Sequence, residues 1–472
     1  MIWALSLFFL HALGILTALQ AIMEVRTPQG AAAWAVALIS FPYVTVPAYW
    51  IFGRTKFHGY VTSRRAHLLE TVPMARRYVE ELKAQRLLAE PGRDQALLVE
   101  RLAKLPFTTG NDTELLMDGE ATFRSIFQGI EEAREYILIE FYILRDDALG
   151  RELQCRLIAK ARAGVRVALL FDELGSNGLP ATYSAPLTAA GVEIHPFNTR
   201  QGKRNFWQLN FRNHRKIVVV DGRTAWVGGH NVGDEYLGRD SRIGPWRDTH
   251  VKLTGPVVAC VQMAFYEDWH WATGHLLSLR WEACPAANGE NRAVLCLPSG
   301  PADALETCTL FFLNVIHRAE KQLWIASPYF VPDEQFISAL QLAALRGVDL
   351  RIIIPEHSDN LLAQLSAWAA IGSLLEAGVK VYRYQPGFMH QKVVLVDDLY
   401  SMIGTANFDN RSFRLNFEIT TATVDAGFGS DVRKMLEADM EKSIAVTREA
   451  YQARGFWRRA ASRLASLTAP VQ

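Results

Sequence analysis

Cysteine is scarce in this chain, and no pair is spaced to bind zinc. The 472 residues include five cysteines, none of them in a Cys-x-x-Cys pair. An odd number without paired spacing argues against both a disulfide framework and a zinc site. We therefore expect reduced, buried thiols at Cys155, Cys260, Cys284, Cys296 and Cys308.

An excess of charge of one sign is also missing. The chain has 50 Lys and Arg residues against 49 Asp and Glu residues, for a formal net charge of +1. Proteins that bind nucleic acid are usually clearly basic, with aromatic side chains among the basic ones. The balanced charge therefore argues against a nucleic-acid partner.

Charged residues are absent from two long stretches near the N-terminus, residues 2–23 and 31–52. Each stretch is long enough to cross a hydrocarbon core of roughly 30 Å as a helix. A cleaved signal peptide is disfavoured, because no basic residue precedes the first stretch and no clear A-x-A site follows it. A buried hairpin of a soluble protein is the other alternative. We predict a two-helix transmembrane anchor over residues 1–53.

Basic residues after the second stretch predict the orientation of this anchor. Residues 53–65 contain Arg54, Lys56, Arg64 and Arg65 and no acidic residue, whereas the connecting segment EVRTPQG has one Glu and one Arg. Positively charged loops stay on the cytoplasmic side of a membrane. Both termini and the remaining chain are therefore predicted to be cytoplasmic.

From about residue 120 the chain repeats an order of strand, helix, strand, helix and strand. The matching segments are 130–143 with 316–330, 163–173 with 346–356, and 191–197 with 378–384. Such alternation is typical of α/β folds. We predict two pseudo-twofold-related α/β halves with mainly parallel sheets, at residues 111–290 and 291–450, which form one body.

Two flanking segments complete the predicted organisation. Residues 54–110 are rich in Arg, Glu, Leu and Ala and predict a helical connector. Residues 451–472 predict a short amphipathic helix in which Phe456 and Leu464 share one side and Arg459 is among the basic residues. This helix could lie on an anionic membrane surface or pack on the body.

One short motif occurs twice, once in each half. It comprises a His-x-Lys pair, an Asp, and an Asn at the end of a Gly-containing turn. The residues are His214, Lys216, Asp221 and Asn231 in the first copy, and His390, Lys392, Asp397 and Asn407 in the second. A single His-x-Lys on a strand carries little information, but two copies with matched spacing indicate one duplicated site.

These residue types suit the displacement of a phosphodiester. Side chains two apart on a strand point the same way, so each His and Lys reach one space. Lysine ammonium and Asn amide groups are donors for the nonbridging oxygens, where negative charge develops. With two imidazoles, one is the nucleophile and the other the acid and then the base. We expect a phosphohistidine intermediate, and the chemistry demands no metal or cofactor.

Carboxylates are expected in two different roles. Asp221 and Asp397 lie an odd number of residues from their His, at strand ends, so we expect these members of the catalytic motif to hold its architecture. A nucleophilic His needs an acceptor at its other ring nitrogen. Asp248 in GPWRDTH and Glu418 in NRSFRLNFE are the candidates for that role.

The duplicated motif resembles that of the phospholipase D superfamily. The segments GGHNVGDEYLGRDSRIGPWRDTHVKLTGP, GTANFDNRSFRLNFE, SGPAD and ASPYFVPDE are similar to those of its bacterial cardiolipin synthases. The resemblance covers almost the whole chain. It departs at His230, which is larger than the residue expected inside the Gly-Gly-x-Asn turn.

This resemblance implies an enzyme of the bacterial inner membrane, multi-pass, with a cytoplasmic site. It implies that two phosphatidylglycerol molecules become cardiolipin and glycerol, with Asp248 and Glu418 hydrogen-bonded to the catalytic histidines. His214 is expected to be the nucleophile and His390 the acid and base. Anionic membrane lipids are the expected partners.

Other functions remain open from the sequence. A hydrolytic phospholipase D, or a transferase with another acceptor, would have the same catalytic residues. A membrane-tethered nuclease is disfavoured by the balanced charge. A lipid-binding scaffold without activity would not need two intact motifs.

Overall fold

The computed structural model describes residues 2–53, 56–66, 68–89, 93–200, 210–287 and 289–471. The α-helices are α1 (Ile2–Glu24), α2 (Pro28–Ser40), α3 (Pro42–Ala48), α4 (His58–Ala66), α5 (Leu68–Ala84), α6 (Arg93–Ala103), α7 (Asp118–Glu132), α8 (Ala148–Arg162), α9 (Ala181–Ala189), α10 (Val257–Thr273), α11 (Thr307–Arg318), α12 (Glu334–Leu345), α13 (Leu361–Glu376), α14 (Asn410–Arg414), α15 (Ala426–Glu441), α16 (Arg448–Gln452) and α17 (Phe456–Ser466). A π-helical turn follows α3 at Tyr49–Gly53, and 3₁₀ turns lie at Asp234–Leu237 and Ala469–Val471.

The strands are β1 (Thr108–Met117), β2 (Tyr136–Phe141), β3 (Arg166–Asp172), β4 (Glu193–Phe197), β5 (Arg212–Asn213), β6 (Ile217–Val220), β7 (Thr224–Gly228), β8 (Trp246–Arg247), β9 (Thr249–Thr254), β10 (Arg292–Ser299), β11 (Gln322–Ala326), β12 (Phe330–Val331), β13 (Asp349–Pro355), β14 (Lys380–Tyr384), β15 (Phe388–Met389), β16 (Val393–Val396), β17 (Tyr400–Gly404), β18 (Phe408–Asp409), β19 (Asn416–Val424) and β20 (Ser443–Ala445).

One continuous sheet runs through both halves. Its strand order is β4-β3-β2-β6-β7-β9-β1-β10-β19-β17-β16-β11-β13-β14-β20. The central neighbours β1 and β10 pair antiparallel, with Thr108 opposite Val294. This β1–β10 pair is the joint between the halves. Counted outward from the joint, the two halves have matching strands in the same order, apart from the extra edge strand β20. The halves are therefore related by a pseudo-twofold, in a duplicated mixed α/β fold.

The expectation of mainly parallel sheets is wrong. Along this strand order, the parallel pairs are β2 with β3 and β3 with β4 in the first half, and β11 with β13 and β13 with β14 in the second. The other neighbours in the same order are antiparallel, and each motif strand enters a tight hairpin. In the first half this hairpin turns at Asp221 and Gly222, with φ of 52° and 65°. Asp and Gly tolerate this left-handed region, and their pairing is typical of two-residue hairpin turns.

The joint between the halves is packed with apolar side chains. Val219 and Val251 from the first half share one buried cluster with Val393 and Ile419 from the second. Strand β2, with sequence YILIEF, is buried at every position, as expected for a strand with helices on both faces. The two motif strands, β6 and β16, therefore rest on one common core.

The N-terminal segment differs from the expected pair of spans. Within the described ranges one helix, Leu5–Glu24, is long and apolar enough to cross a membrane. The second apolar stretch is not one helix, because α2 ends at Ser40 and Pro42 starts α3 after an irregular Phe41 with φ −136° and ψ 57°. Arg54, used above for orientation, lies outside the described residues.

The C-terminal segment packs on the body and also keeps an apolar surface. Helix α17 lies against α13, with Ser462 and Ala465 buried. Four large apolar side chains stay exposed, namely Phe456, Trp457, Leu464 and Leu467. Both alternatives considered for this helix are thus compatible with its position.

The cysteines are all free thiols. Cys260, Cys296 and Cys308 are buried, as expected, and Cys284 is partly buried. The expectation of burial is wrong for Cys155, which is exposed on α8.

Candidate active site

Both His-x-Lys pairs lead into a central strand of their half, β6 or β16. All four side chains are buried, and His214 and His390 keep 8% and 6% of their surface exposed. Lys216 Nζ donates to the carbonyl oxygen of His214 at 2.8 Å, and Lys392 Nζ donates to that of His390 at 2.5 Å. Each half therefore builds the same imidazole and ammonium unit.

Two short parallel strand pairs join the histidines to the opposite half. Strand β5 pairs with β19, and the His214 amide donates to the Phe417 carbonyl at 2.9 Å. Strand β8 pairs with β15, and the His390 amide donates to the Arg247 carbonyl at 2.7 Å. Each His therefore lies beside the next residue after the one whose carbonyl it bonds, which is Glu418 for His214 and Asp248 for His390.

Those following residues are the two candidate carboxylates, and they serve the histidines across the joint. His214 Nδ1 lies 2.9 Å from Glu418 Oε2, and His390 Nδ1 lies 2.7 Å from Asp248 Oδ2. Both carboxylates are fully buried. When Nδ1–H is donated to the carboxylate, Nε2 of each ring carries the lone pair that attack or proton transfer requires. In His390 this nitrogen also lies 2.9 Å from Lys392 Nζ.

The four basic groups form one electrostatic site. Burial, together with the charges of Lys216 and of Lys392 from the other half, lowers the pKa of His214 to about 4, although Glu418 opposes this shift. Burial also lowers the pKa of His390, together with the charges of Lys392, Lys216 and His214. Both rings are therefore neutral at pH 7 in the free site, and each is sensitive to charge in the opposite half.

The lysine ammonium groups are also perturbed. Burial lowers the pKa of Lys392 to about 8, although Asp248 and Glu418 oppose this shift. Burial lowers the pKa of Lys216 as well. An anionic phosphodiester between them would favour their charged forms. Across the described ranges, no group of three or more His, Cys, Asp or Glu side chains is arranged to hold a metal ion.

Asp221 and Asp397 bind the main chain rather than the histidines. The Asp221 carboxylate accepts backbone N–H bonds of 2.8–2.9 Å, and that of Asp397 accepts bonds of 2.8–3.0 Å. The donors are Arg134, Glu135 and Tyr136 for Asp221, and Glu320, Lys321 and Gln322 for Asp397. Both aspartates cap the start of the neighbouring strand, β2 or β11, at the far end of the motif strand.

The two Asn residues close buried turns beside the histidines. Asn231 Oδ1 accepts from the Ile143 amide at 3.0 Å, and its Nδ2 donates to the Tyr236 hydroxyl at 3.0 Å. The Asn407 amide nitrogen of the main chain donates to Ser412 Oγ at 3.0 Å. Both side chains are buried, and that of Asn231 joins two segments beside the site.

His230 is accommodated by a second histidine. Its Nδ1 lies 3.1 Å from His250 Nδ1, and both rings are fully buried. Burial lowers the pKa of both groups to about 3, so the pair is neutral. The size of His230 therefore leaves the Gly-Gly-x-Asn turn in place.

Buried arginines support the carboxylates, and sequence reasoning missed them. Arg215 lies 2.5 Å from Asp268 and donates from Nε to the Glu418 carbonyl at 3.1 Å. Arg247 lies 2.8 Å from Asp439 and donates to the Asp248 carbonyl at 2.9 Å. The available signal was Arg215 itself, a charged residue between His214 and Lys216, directly before the apolar strand β6.

Both halves of the chain match a known family model. A model described as "Cardiolipin synthase, PLD-like domain" matches residues 126–242 and 312–440, which contain both His-x-Lys pairs. The chain belongs to the phospholipase D-like cardiolipin synthase family. A second model, "Phospholipase_D-nuclease N-terminal", matches residues 12–54.

Relatives in this family match nearly end to end. The chain is 49% identical over 471 residues to a protein named cardiolipin synthase A from Pseudomonas putida F1, covering 98% of this chain and 97% of that one. It is 46% identical over 472 residues to cardiolipin synthase A from Pseudomonas aeruginosa LESB58, covering 99% and 96%. The chain is therefore a phosphatidyltransferase of the cardiolipin synthase family.

A solved structure shares the fold. The phosphatidylserine synthase of Haemophilus influenzae Rd KW20 aligns with a TM-score of 0.59 at 16% sequence identity, covering 80% of this chain and all of that one. At this identity the likeness describes the duplicated fold alone.

Proposed function

We propose that this enzyme makes cardiolipin from two molecules of phosphatidylglycerol and releases glycerol. The observation that carries the proposal is the pair of His–carboxylate contacts across the joint, 2.9 Å and 2.7 Å, in one buried site with two lysines. The names of the near full-length relatives support cardiolipin as the product. One glycerol phosphodiester replaces another, so the reaction needs no nucleotide to supply energy.

The first step forms a phosphatidyl-enzyme. His214 Nε2 attacks the phosphorus of one phosphatidylglycerol, and the bond from phosphorus to the headgroup glycerol oxygen breaks. His390, as imidazolium, gives its proton to that oxygen, and glycerol leaves. His390 is neutral in the free site, and the negative charge of the bound phosphodiester favours its protonation.

The second step transfers the phosphatidyl group to lipid. His390, now neutral, takes the proton from a headgroup hydroxyl of a second phosphatidylglycerol. That oxygen attacks phosphorus, and the bond to His214 Nε2 breaks. Glu418 stabilises the positive charge on the His214 ring throughout, and Asp248 does the same for His390.

The remaining motif residues have supporting roles in this proposal. Lys216 and Lys392 donate to the nonbridging oxygens, where charge grows in the transition state. Asn231 and Asn407 provide further amide donors at the edge of the site. Asp221 and Asp397 keep the motif strands in place through the main chain and do not contact the lipid.

Water must compete poorly with the second lipid for the phosphatidyl-enzyme. Aromatic rings line the histidines: Tyr142 lies 5.0 Å from the His214 ring, and Trp246 lies 5.1 Å from the His390 ring. Such apolar faces favour an acceptor lipid over water.

We propose that the enzyme is anchored in the bacterial inner membrane, with its catalytic body on the cytoplasmic face. The helix Leu5–Glu24 supports an anchor, and the basic residues Lys56, Arg64 and Arg65 support the cytoplasmic side. The exposed Phe456, Trp457 and neighbouring arginines of α17 suit contact with anionic lipid headgroups.

Incubation of the purified enzyme with phosphatidylglycerol alone tests the reaction. Cardiolipin and an equal amount of glycerol should form without CTP and without added metal. Phosphatidic acid in place of cardiolipin would show that the enzyme is a hydrolase. Cardiolipin formation that depends on CTP would also contradict the proposal.

A lipid analogue with p-nitrophenol as the leaving group tests the roles of the histidines. This leaving group departs without protonation, so His390→Ala should still release a burst of p-nitrophenol and hold the phosphatidyl group covalently. His214→Ala should give neither. The reverse pattern would assign the nucleophile to His390.

A further inference from the structure

The loop between the two apolar segments lies against the catalytic body. Arg26 Nε is 3.0 Å from Glu306 Oε1, and its Nη1 is 3.4 Å from Asp333 Oδ2. Asp333 also binds Arg414 at 2.6 Å, within the second half. These contacts hold the C-terminal end of α1 at the surface of the body.

The segment that follows this loop doubles back on itself. The rings of Trp34 and Tyr49 have centroids 5.3 Å apart, with α2 on one limb and the residues after α3 on the other. In one straight helix, their separation in sequence would place them about 22 Å apart along the axis. Pro28–Ser40 and the chain from Pro42 to Gly53 are therefore two limbs of a helical hairpin.

The turn of the hairpin lies half-way along α1. A Cβ atom added at Gly14 would be 2.4 Å from the Leu38 carbonyl oxygen and 2.8 Å from Pro42 Cβ, so glycine is required for this approach. Gly14 is about 15 Å along the axis from the end of α1 at Glu24. That distance is half of a hydrocarbon core of roughly 30 Å.

Two backbone carbonyl groups at this turn have a side-chain partner within the segment. The Thr45 hydroxyl lies 3.1 Å from the Ala37 carbonyl oxygen and 2.8 Å from that of Phe41, and it can share its proton between them. A helix break in hydrocarbon needs such partners, since no water is present to supply them. Thr45 therefore suits a break that lies inside a membrane.

The second limb returns to the body. Lys56 Nζ donates to the Asp303 carbonyl at 2.5 Å, and the Phe57 amide donates to the Pro301 carbonyl at 3.1 Å. Both ends of the hairpin thus lie on the same face of the catalytic body. Its outer surface and that of α1 expose apolar side chains, including Phe8, Leu16, Phe41 and Val44.

We propose that α1 crosses the bilayer once and that Pro28–Gly53 is a re-entrant hairpin, which enters and leaves the leaflet next to the catalytic body. The inference rests on the proposed membrane anchorage and is independent of the proposed chemistry. It places Arg26 on the same side as Lys56 and Arg64, as the positive-inside rule favours. The N-terminus then lies on the opposite side of the membrane, unlike in the two-span prediction.

Sidedness of thiol labelling in the full-length enzyme tests this topology. A background carrying Cys155→Ser and Cys284→Ser removes the two cysteines that are not buried. Three probes are then compared: Gln29→Cys beside the Arg26 loop, one cysteine added ahead of Met1, and restored Cys155 on the body. A membrane-impermeant maleimide is applied to sealed right-side-out and inside-out vesicles.

Gln29→Cys and Cys155 should react from the same side, at least tenfold faster in inside-out vesicles, and the added N-terminal cysteine should react in right-side-out vesicles. Reaction of Gln29→Cys from the side opposite Cys155 would establish two spans and overturn the proposal. Reaction of all three probes from one side would overturn the crossing by α1. Cardiolipin formation is measured in the same membranes, so that loss of the proposed chemistry is seen separately from the labelling pattern.

Discussion

The contact between His214 and Glu418 gives a sharp test of how the site works. Burial alone would raise the pKa of Glu418, but His214, their hydrogen bond and Lys216 bring it below its ordinary value, so the carboxylate is charged at pH 7. In Glu418→Gln the side chain keeps its size and loses this charge. The amide can also donate to Nδ1, which would move the ring proton to Nε2 and block attack.

The size of the effect follows from the geometry. Charge centres about 4 Å apart attract by about 4 kcal/mol at an effective dielectric constant of about 20. This attraction is gained only when His214 becomes positively charged, so its loss should lower kcat by about 10³-fold. The change in KM should be small, because the free site holds a neutral ring.

Initial rates of cardiolipin formation, measured by mass spectrometry over a range of phosphatidylglycerol concentrations, give kcat and KM. Glu437→Gln is the matched control, since Glu437 is a half-exposed residue of α15 that pairs with Arg433. It should keep wild-type rates. A Glu418→Gln enzyme with kcat within tenfold of wild type would refute the role assigned to this carboxylate.

Three further outcomes are expected. Asp221→Asn or Asp397→Asn should each lower the free energy of unfolding by about 1–3 kcal/mol, since a charged acceptor of three backbone amides is lost. The value of kcat per folded molecule should stay within about threefold of wild type. A larger loss of kcat at unchanged thermal stability would contradict this. The value of kcat/KM should fall as pH rises through about 8, where Lys392 loses its proton, and a flat profile from pH 7 to 9 would exclude this dependence. Arg215→Met should destabilise the fold by about 3–5 kcal/mol, because it leaves buried Asp268 without its cation. Thermal unfolding in detergent should show that the double variant Arg215→Met with Asp268→Asn regains part of the lost stability.

Much of the site could be predicted because strand geometry is local. The alternation of side chains puts His214 and Lys216, which lead into β6, on one side of the chain and turns Asp221 away, and the same pattern repeats in the second half. Asp248 and Glu418 were expected to bond the histidines, but which carboxylate pairs with which histidine could not be predicted. It depends on β5 and β15, two-residue strands that have no periodicity of their own and form only when the halves meet.

The strand directions in the sheet and the course of the N-terminal segment were harder to predict, for similar reasons. A buried run such as IVVV at β6 has no alternation from which to read strand direction, so its antiparallel pairing follows from the hairpin at Asp221. The stretch 31–52 has the composition of a span, and composition does not reveal that Pro42 begins a new helix there. In both cases tertiary contacts decide between local alternatives.

The exchange of carboxylates between halves has a consequence for how the duplicated gene can diverge. Neither repeat contains a complete His–carboxylate pair, because each histidine bonds a carboxylate of the other repeat. A defect in one repeat therefore disables chemistry in both, and neither copy is free to decay while its sibling maintains the function. These positions in the two repeats must therefore be maintained together, even where the other residues of the repeats differ.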